Sequence, residues 1–145
     1  MAELKTTFPV AADAATVWRV LVDFPRWSEW NTAVPSISGE AAVGSTLKLK
    51  LAMPGRPSAN VTATLTDLDT KKHFRWHGNV AGDRFFAGTR EVLLDERPDG
   101  STWVTHVETV TGLFYPVFRL LMGGAIQKHH ENFNSSLRDR AESVD

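Results

Sequence analysis

The spacing of apolar residues changes period twice along this chain. After Asp13, a residue type that caps helix N-termini, Val17, Trp18, Leu21 and Val22 recur at helical intervals and predict a helix over Ala14 to Val22. Pro25 then suits the first position of a second short helix that carries Trp27 and Trp30. Beyond it the period drops to two. Leu47, Leu49, Leu51 and Met53 alternate with Lys48, Lys50 and Ala52, which predicts a strand over Thr46 to Met53. Asn60 to Leu68 sets Val61, Ala63 and Leu65 against threonines, and His73 to His77 sets Phe74 and Trp76 against His73, Arg75 and His77. Ala2 to Phe8 reads as a first short strand and Pro35 to Glu40 as a weak one. From Leu113 to about Glu142 the helical period returns, with Met122, Ile126, His129, Phe133 and Leu137 on one stripe. Gly123 and Gly124 interrupt that stripe at roughly 1 kcal/mol each relative to alanine. They predict a bend or a close backbone contact, with the Gly78–Arg84 loop or a ligand nearby.

The two strands Phe86 to Glu96 and Thr102 to Thr111 form a hairpin around Arg97-Pro98-Asp99-Gly100, which suits a type I turn with a left-handed glycine. Counting back from Arg97 opposite Ser101 places Leu94 across from Val104, Val92 across from His106 and Arg90 across from Glu108. One hairpin face is then apolar at one end and ionisable at the other, and it is the face assigned to the interior. A slip of one residue would reverse the assignment.

A strand, two short helices, a run of strands and a long helix together predict an α+β fold. A curved antiparallel sheet wraps around the long C-terminal helix as one domain over residues 1–145, and such a wrap can leave an apolar cavity. With 145 residues, the chain is long enough to bury a core without cross-links. A formal net charge of −1 gives no overall electrostatic footprint for nucleic acid or an anionic membrane. The absence of cysteine excludes disulfides and thiolate chemistry. The first residues lack a signal-type apolar run, so the expectation is a cytoplasmic protein with no integral membrane segment.

The sequence resembles the polyketide cyclase/START-like (SRPBCC) superfamily, which includes the birch pollen allergen. The resemblance rests on Val17-Trp18 through Asp23, Trp27 and Trp30, and on Phe74-Arg75-Trp76-His77-Gly78. It continues in Thr105-His106-Val107-Glu108 with Gly112, and in Asn134 and Leu137 before the Arg-Ala-Glu ending. The likeness covers nearly the whole chain, and the order of the motifs carries it. It implies a helix-grip fold with a cavity between sheet and long helix for lipids, sterols, polyketides or hormones. It does not imply one reaction.

The expected function is therefore binding of a hydrophobic or amphipathic small molecule. Leu49, Leu51, Val61, Leu65, Phe74, Trp76, Val92, Val104, Ile126 and Phe133 would line the cavity, and Arg90, His106 and Glu108 would orient the ligand. The same three polar residues could instead be a self-satisfied ion pair closing the cavity, or an acid–base pair. The alternative functions are a cyclase or dehydratase-like enzyme with His106 as acid/base, and a protein-interaction module using exposed Leu93 and Trp103. No catalytic residue is assigned on the sequence, and no cofactor or metal is expected. His73 and His77 lie about 13 Å apart on a strand, too far to share an ion. The consecutive His129-His130-Glu131 point in different directions, with His129 toward the sheet and His130 at its flank. The expected assembly is a monomer or homodimer.

Overall fold

The computed structural model describes residues 2–79, 82–122 and 124–144. Strand β1 (Ala2–Val10) leads into helix α1 (Ala14–Val22) and a 3₁₀ segment, Phe24–Glu29. Strands β2 (Ser36–Ser38), β3 (Thr46–Leu51), β4 (Ala59–Asp69), β5 (His73–Asn79), β6 (Ala87–Glu96) and β7 (Thr102–Thr111) follow, then helices α2 (Tyr115–Met122) and α3 (Ala125–Ser143). The sheet has seven strands in the order β1-β7-β6-β5-β4-β3-β2, every neighbouring pair antiparallel. The first strand thus closes against the last, and α3 lies in the grip. A register shift between Leu65 and Asp67 marks a bulge in β4, which bends the strand locally.

The first two helical segments start for local reasons. The Asp13 carboxylate accepts from the Thr16 backbone N–H at 2.8 Å, and Glu96 accepts from that of Ala14 at 2.8 Å. The cap and a strand end together hold α1 on the sheet. Pro25 sits in the first turn of the 3₁₀ segment. That segment delivers Trp27, which has no solvent exposure, and its indole N–H donates to the Leu21 carbonyl at 3.1 Å. Phe24 packs edge-on to Trp27 at 5.3 Å, and Trp76 and Phe133 flank the indole at 5.9 and 6.0 Å. On α3, Phe133, Leu137 and Ala141 are all fully buried at helical spacing.

The hairpin register agrees with the count from its turn. Arg97 N–H donates to the Ser101 carbonyl at 2.8 Å, and Arg90 pairs with Glu108, Val92 with His106 and Leu94 with Val104.

The C-terminal segment departs from expectation. The single helix read over Leu113 to Glu142 is two helices, and Gly124 stands at the N-terminus of α3 with φ −75°. A Cβ built there meets nothing within 4 Å, so the expected close backbone contact is not found at Gly124. Gly123 and positions 80 and 81 of the Gly78–Arg84 loop lie outside the described residues. The weak strand read over Pro35 to Glu40 is only Ser36–Ser38.

Gly112 is the position where the backbone requires glycine. Its φ is +121°, and a Cβ there would fall 2.3 Å from the Phe85 carbonyl oxygen. Gly44 also has positive φ, +90°, but open space around it. Gly44→Ala should therefore cost only backbone strain, about 1–3 kcal/mol. Gly112→Ala should cost measurably more, because the 82–86 loop must move. Urea unfolding of both variants checks the order, and equal losses would contradict it.

Candidate functional site

The inward faces of β3 to β7, with α2 and the start of α3, border a partly open cavity of about 590 Å³. Leu49, Leu51, Val61, Trp76, Arg90, Glu108 and Ile126 border it, as the alternation of their strands and the stripe of α3 require. The other residues expected on its wall are elsewhere. Leu65, Phe74, Val92, Val104, His106 and Phe133 are buried in the packed half of the core and do not border the cavity. The reason is the aromatic plug: Trp27 and Phe24 fill that half of the grip, so the open space is confined to the end covered by α2. Phe114, Val117, Phe118 and Leu121 complete the wall there. The apolar stripe that α2 shares with α3 hides their contribution in the sequence. A larger groove of about 720 Å³ runs outside the sheet past Ala14, Lys71, Lys72 and Leu93. It contains none of the buried polar groups.

Arg90, Glu108 and His129 form one wall of the cavity and belong to a cluster of five ionisable side chains, with His106 and His130 behind them, three from the sheet and two from α3. Arg90 Nη2 donates to Glu108 Oε1 and to His129 Nε2, each at 2.6 Å. His129 Nδ1 donates to the Ala52 carbonyl at 2.8 Å, which fixes the ring as the neutral tautomer that can accept from Arg90. The guanidinium lies 4.5 Å from the Phe133 ring and 5.3 Å from that of Trp76, so its faces meet aromatic surface. Its Nε and Nη1 have no hydrogen-bond partner among the described residues.

Behind this pair, His106 and His130 stack face to face with centroids 4.0 Å apart and planes 2° from parallel. Their outer nitrogens are held by one relay. His106 Nδ1 donates to Asn134 Oδ1 at 2.7 Å, and Asn134 Nδ2 donates to Thr6 Oγ1 at 2.7 Å. The Thr6 hydroxyl meets His130 Nε2 at 2.9 Å. A hydroxyl can donate to that nitrogen or accept from it, and the other ring nitrogen of His130 is Nδ1. That nitrogen and His106 Nε2 each lie 3.5 Å from Glu108 Oε1. The flank position expected for His130 is thus a fully buried one, clamped to β1. Pairing of β1 with β7 puts Thr6 opposite His106, a long-range register that local sequence spacing does not reveal.

His106, Glu108 and His130 present donor atoms within 4.8 Å of one another. The arrangement fits hydrogen bonding better than a cation. An ion in the plane of one stacked ring lies outside the plane of the other, and Arg90 already holds the shared carboxylate oxygen.

The electrostatics follow from burial. For Glu108, burial opposes ionisation, but the Arg90 charge and the His130 hydrogen bond outweigh it and hold the carboxyl well below its usual range. Burial and then Arg90 push His106 well below the ordinary imidazole value. The same two causes lower His129 to about 4. Arg90 and Glu108 cancel each other's charge, and the lowered values of His106 and His129 keep those two rings neutral, the condition for burying such groups. Because these two histidine values are lower folded than unfolded, the unfolded chain takes up more protons below about pH 6.5. Stability is then fully present above that pH. It should fall on acidification by up to about 1.4 kcal/mol per pH unit for each group. His129→Gln should remove about half of that slope. Urea unfolding at about pH 7.5 and about pH 5 tests this, and equal stabilities for the wild type would contradict it.

Comparison with known proteins agrees with this architecture. The structure is similar to a START superfamily protein from Mycobacterium smegmatis, at 19% identity and a TM-score of 0.78 over 99% of both chains. It is similar to the ZhuI aromatase/cyclase of Streptomyces sp. R1128, at 17% identity and a TM-score of 0.77 over 97% of this chain and 93% of that one. Ara h 8.0201 shares the fold at 11% identity and a TM-score of 0.73 over 99% of both chains. No curated protein matches the sequence. The family model described as polyketide cyclase / dehydrase and lipid transport matches residues 1–142, and the chain belongs to that family.

Proposed function

We propose that this protein binds one hydrophobic or amphipathic small molecule in the cavity between its sheet and its C-terminal helices. The observation that carries the reading is the cavity of about 590 Å³ itself, bordered almost wholly by apolar side chains with a compact polar cluster on one wall. That volume lies inside the range of small-molecule sites, and the mixture of apolar wall and few polar groups is their usual chemistry. Arg90 retains donors on Nε and Nη1 beyond those used by Glu108 and His129. A ligand with an oxygen acceptor at one end and an apolar body suits such a wall. The family description, covering both cyclases and lipid transport, supports a ligand of this kind.

The same geometry weakens the catalytic alternative built on His106. That ring has no solvent exposure, lies beneath Phe133 at 4.7 Å between ring centroids, and does not border the cavity. The ionisable groups that do border it are Arg90, Glu108 and His129.

An environment-sensitive apolar dye should bind the purified protein at about one per chain, and native mass spectrometry should show whether a molecule co-purifies. Val61→Trp places a bulky apolar group at the wall without burying a charge. It should reduce dye affinity about tenfold or more while leaving the fold intact, since a cavity too small for its ligand loses contact on every side. A wild-type protein that takes up neither dyes nor lipid-like molecules would overturn the proposal.

A further inference from the structure

Helix α2 has no buried residue, although most of it is apolar. Leu113, Phe114, Val117, Leu120 and Leu121 are between 53% and 83% exposed. Five of the eight large exposed hydrophobics among the described residues therefore fall within nine positions. A concentration of that kind is a surface with a use rather than scattered exposure. It is also continuous with the cavity, because Phe114, Val117 and Leu121 border both. Phe85 stacks on Phe114 with centroids 5.5 Å apart, and Phe86 meets Phe118 at 4.5 Å, so aromatic contacts hold α2 on the loop after β5.

The charge around this patch is one-sided. Segments 52–58, 82–86, 112–122 and 124–128 each contribute at least one residue to the cavity wall. Arg56, Arg84, Arg119 and Lys128 are exposed there against one acidic residue, Asp83. Asp83 is itself engaged by His77 at 3.0 Å and Asn79 at 2.8 Å. The whole-chain charge of −1 conceals this local excess.

We propose that α2 and the adjoining loop ends dock on the surface of an anionic lipid bilayer. Leu113, Leu120 and Leu121 enter the interfacial region, and the four basic side chains meet lipid phosphates. An amphipathic helix lying in the plane of the interface, with cations beside its apolar face, is the physical form such contacts take. A protein partner fits less well. Stable protein interfaces use about 20–30 residues a side, and this patch is one eight-residue helix and the two residues before it. The surface does not depend on the cavity reading, although a ligand leaving a bilayer would meet apolar side chains all the way inward.

The test is co-sedimentation of the full chain with vesicles of phosphatidylcholine alone or with phosphatidylglycerol, at low and high salt. The wild type should bind the anionic vesicles preferentially and release them in high salt. Leu120→Glu and Arg119→Glu alter only exposed side chains, so the fold and dye binding should persist. Vesicle affinity should fall about tenfold or more for each. Sedimentation of both variants equal to wild type would overturn the proposal, as would a wild type that ignores both vesicle types. Self-association of the chain that Leu120→Glu abolishes, without vesicle binding, would assign the face to a second copy and would also overturn it.

Discussion

A charged guanidinium inside an apolar sheet is the constraint around which this molecule is arranged. Arg90 is 3% exposed, and leaving it unpaired would cost several kcal/mol. The fold answers with partners from three directions: Glu108 from the neighbouring strand, His129 from α3, and the ring faces of Trp76 and Phe133. Those partners also hold the cluster at the boundary between two regions. On one side the aromatic residues around Trp27 fill the grip completely. On the other, apolar side chains face open volume. The ion pair thus forms a partition, and its position sets the depth of the open volume.

The second consequence concerns the joint between sheet and helix. Leu137 and Ala141 hold α3 by shape alone, whereas His129, His130 and Asn134 hold it by directed bonds to Ala52, Thr6 and His106. A hydrophobic stripe tolerates a slide along the helix axis. A relay running His106–Asn134–Thr6–His130 does not, because every acceptor would lose its donor at once. Polar groups in this core therefore set register, while the apolar ones supply the driving force.

The sequence made the strands readable wherever one face is buried, because alternation there is strict, as in Leu47, Leu49 and Leu51. The hairpin register was readable because a four-residue turn fixes the pairing of everything that follows. The division of the C-terminal segment was not. The apolar stripe on both sides of the glycine pair shares one period, and period alone does not distinguish one helix from two. Depth was also illegible. His106 and Glu108 share a strand face, yet only Glu108 reaches the cavity, because the 3₁₀ segment brings Trp27 and Phe24 into the other half. Nothing in the strand itself carries that information. Thr6 and His130 joined the cluster through contacts separated by 124 positions, which no local pattern encodes.

The account rests on Arg90 and Glu108 acting as one unit, and a double-mutant cycle measures that directly. Glu108→Gln alone should cost about 3–5 kcal/mol in urea unfolding, because it strands the guanidinium. Arg90→Met and Glu108→Gln combined in one chain should cost far less than the sum of the two single losses. The account predicts a coupling of roughly 2–3 kcal/mol. Additive losses, with coupling near zero, would show that the two side chains do not depend on one another and would contradict the partition described above.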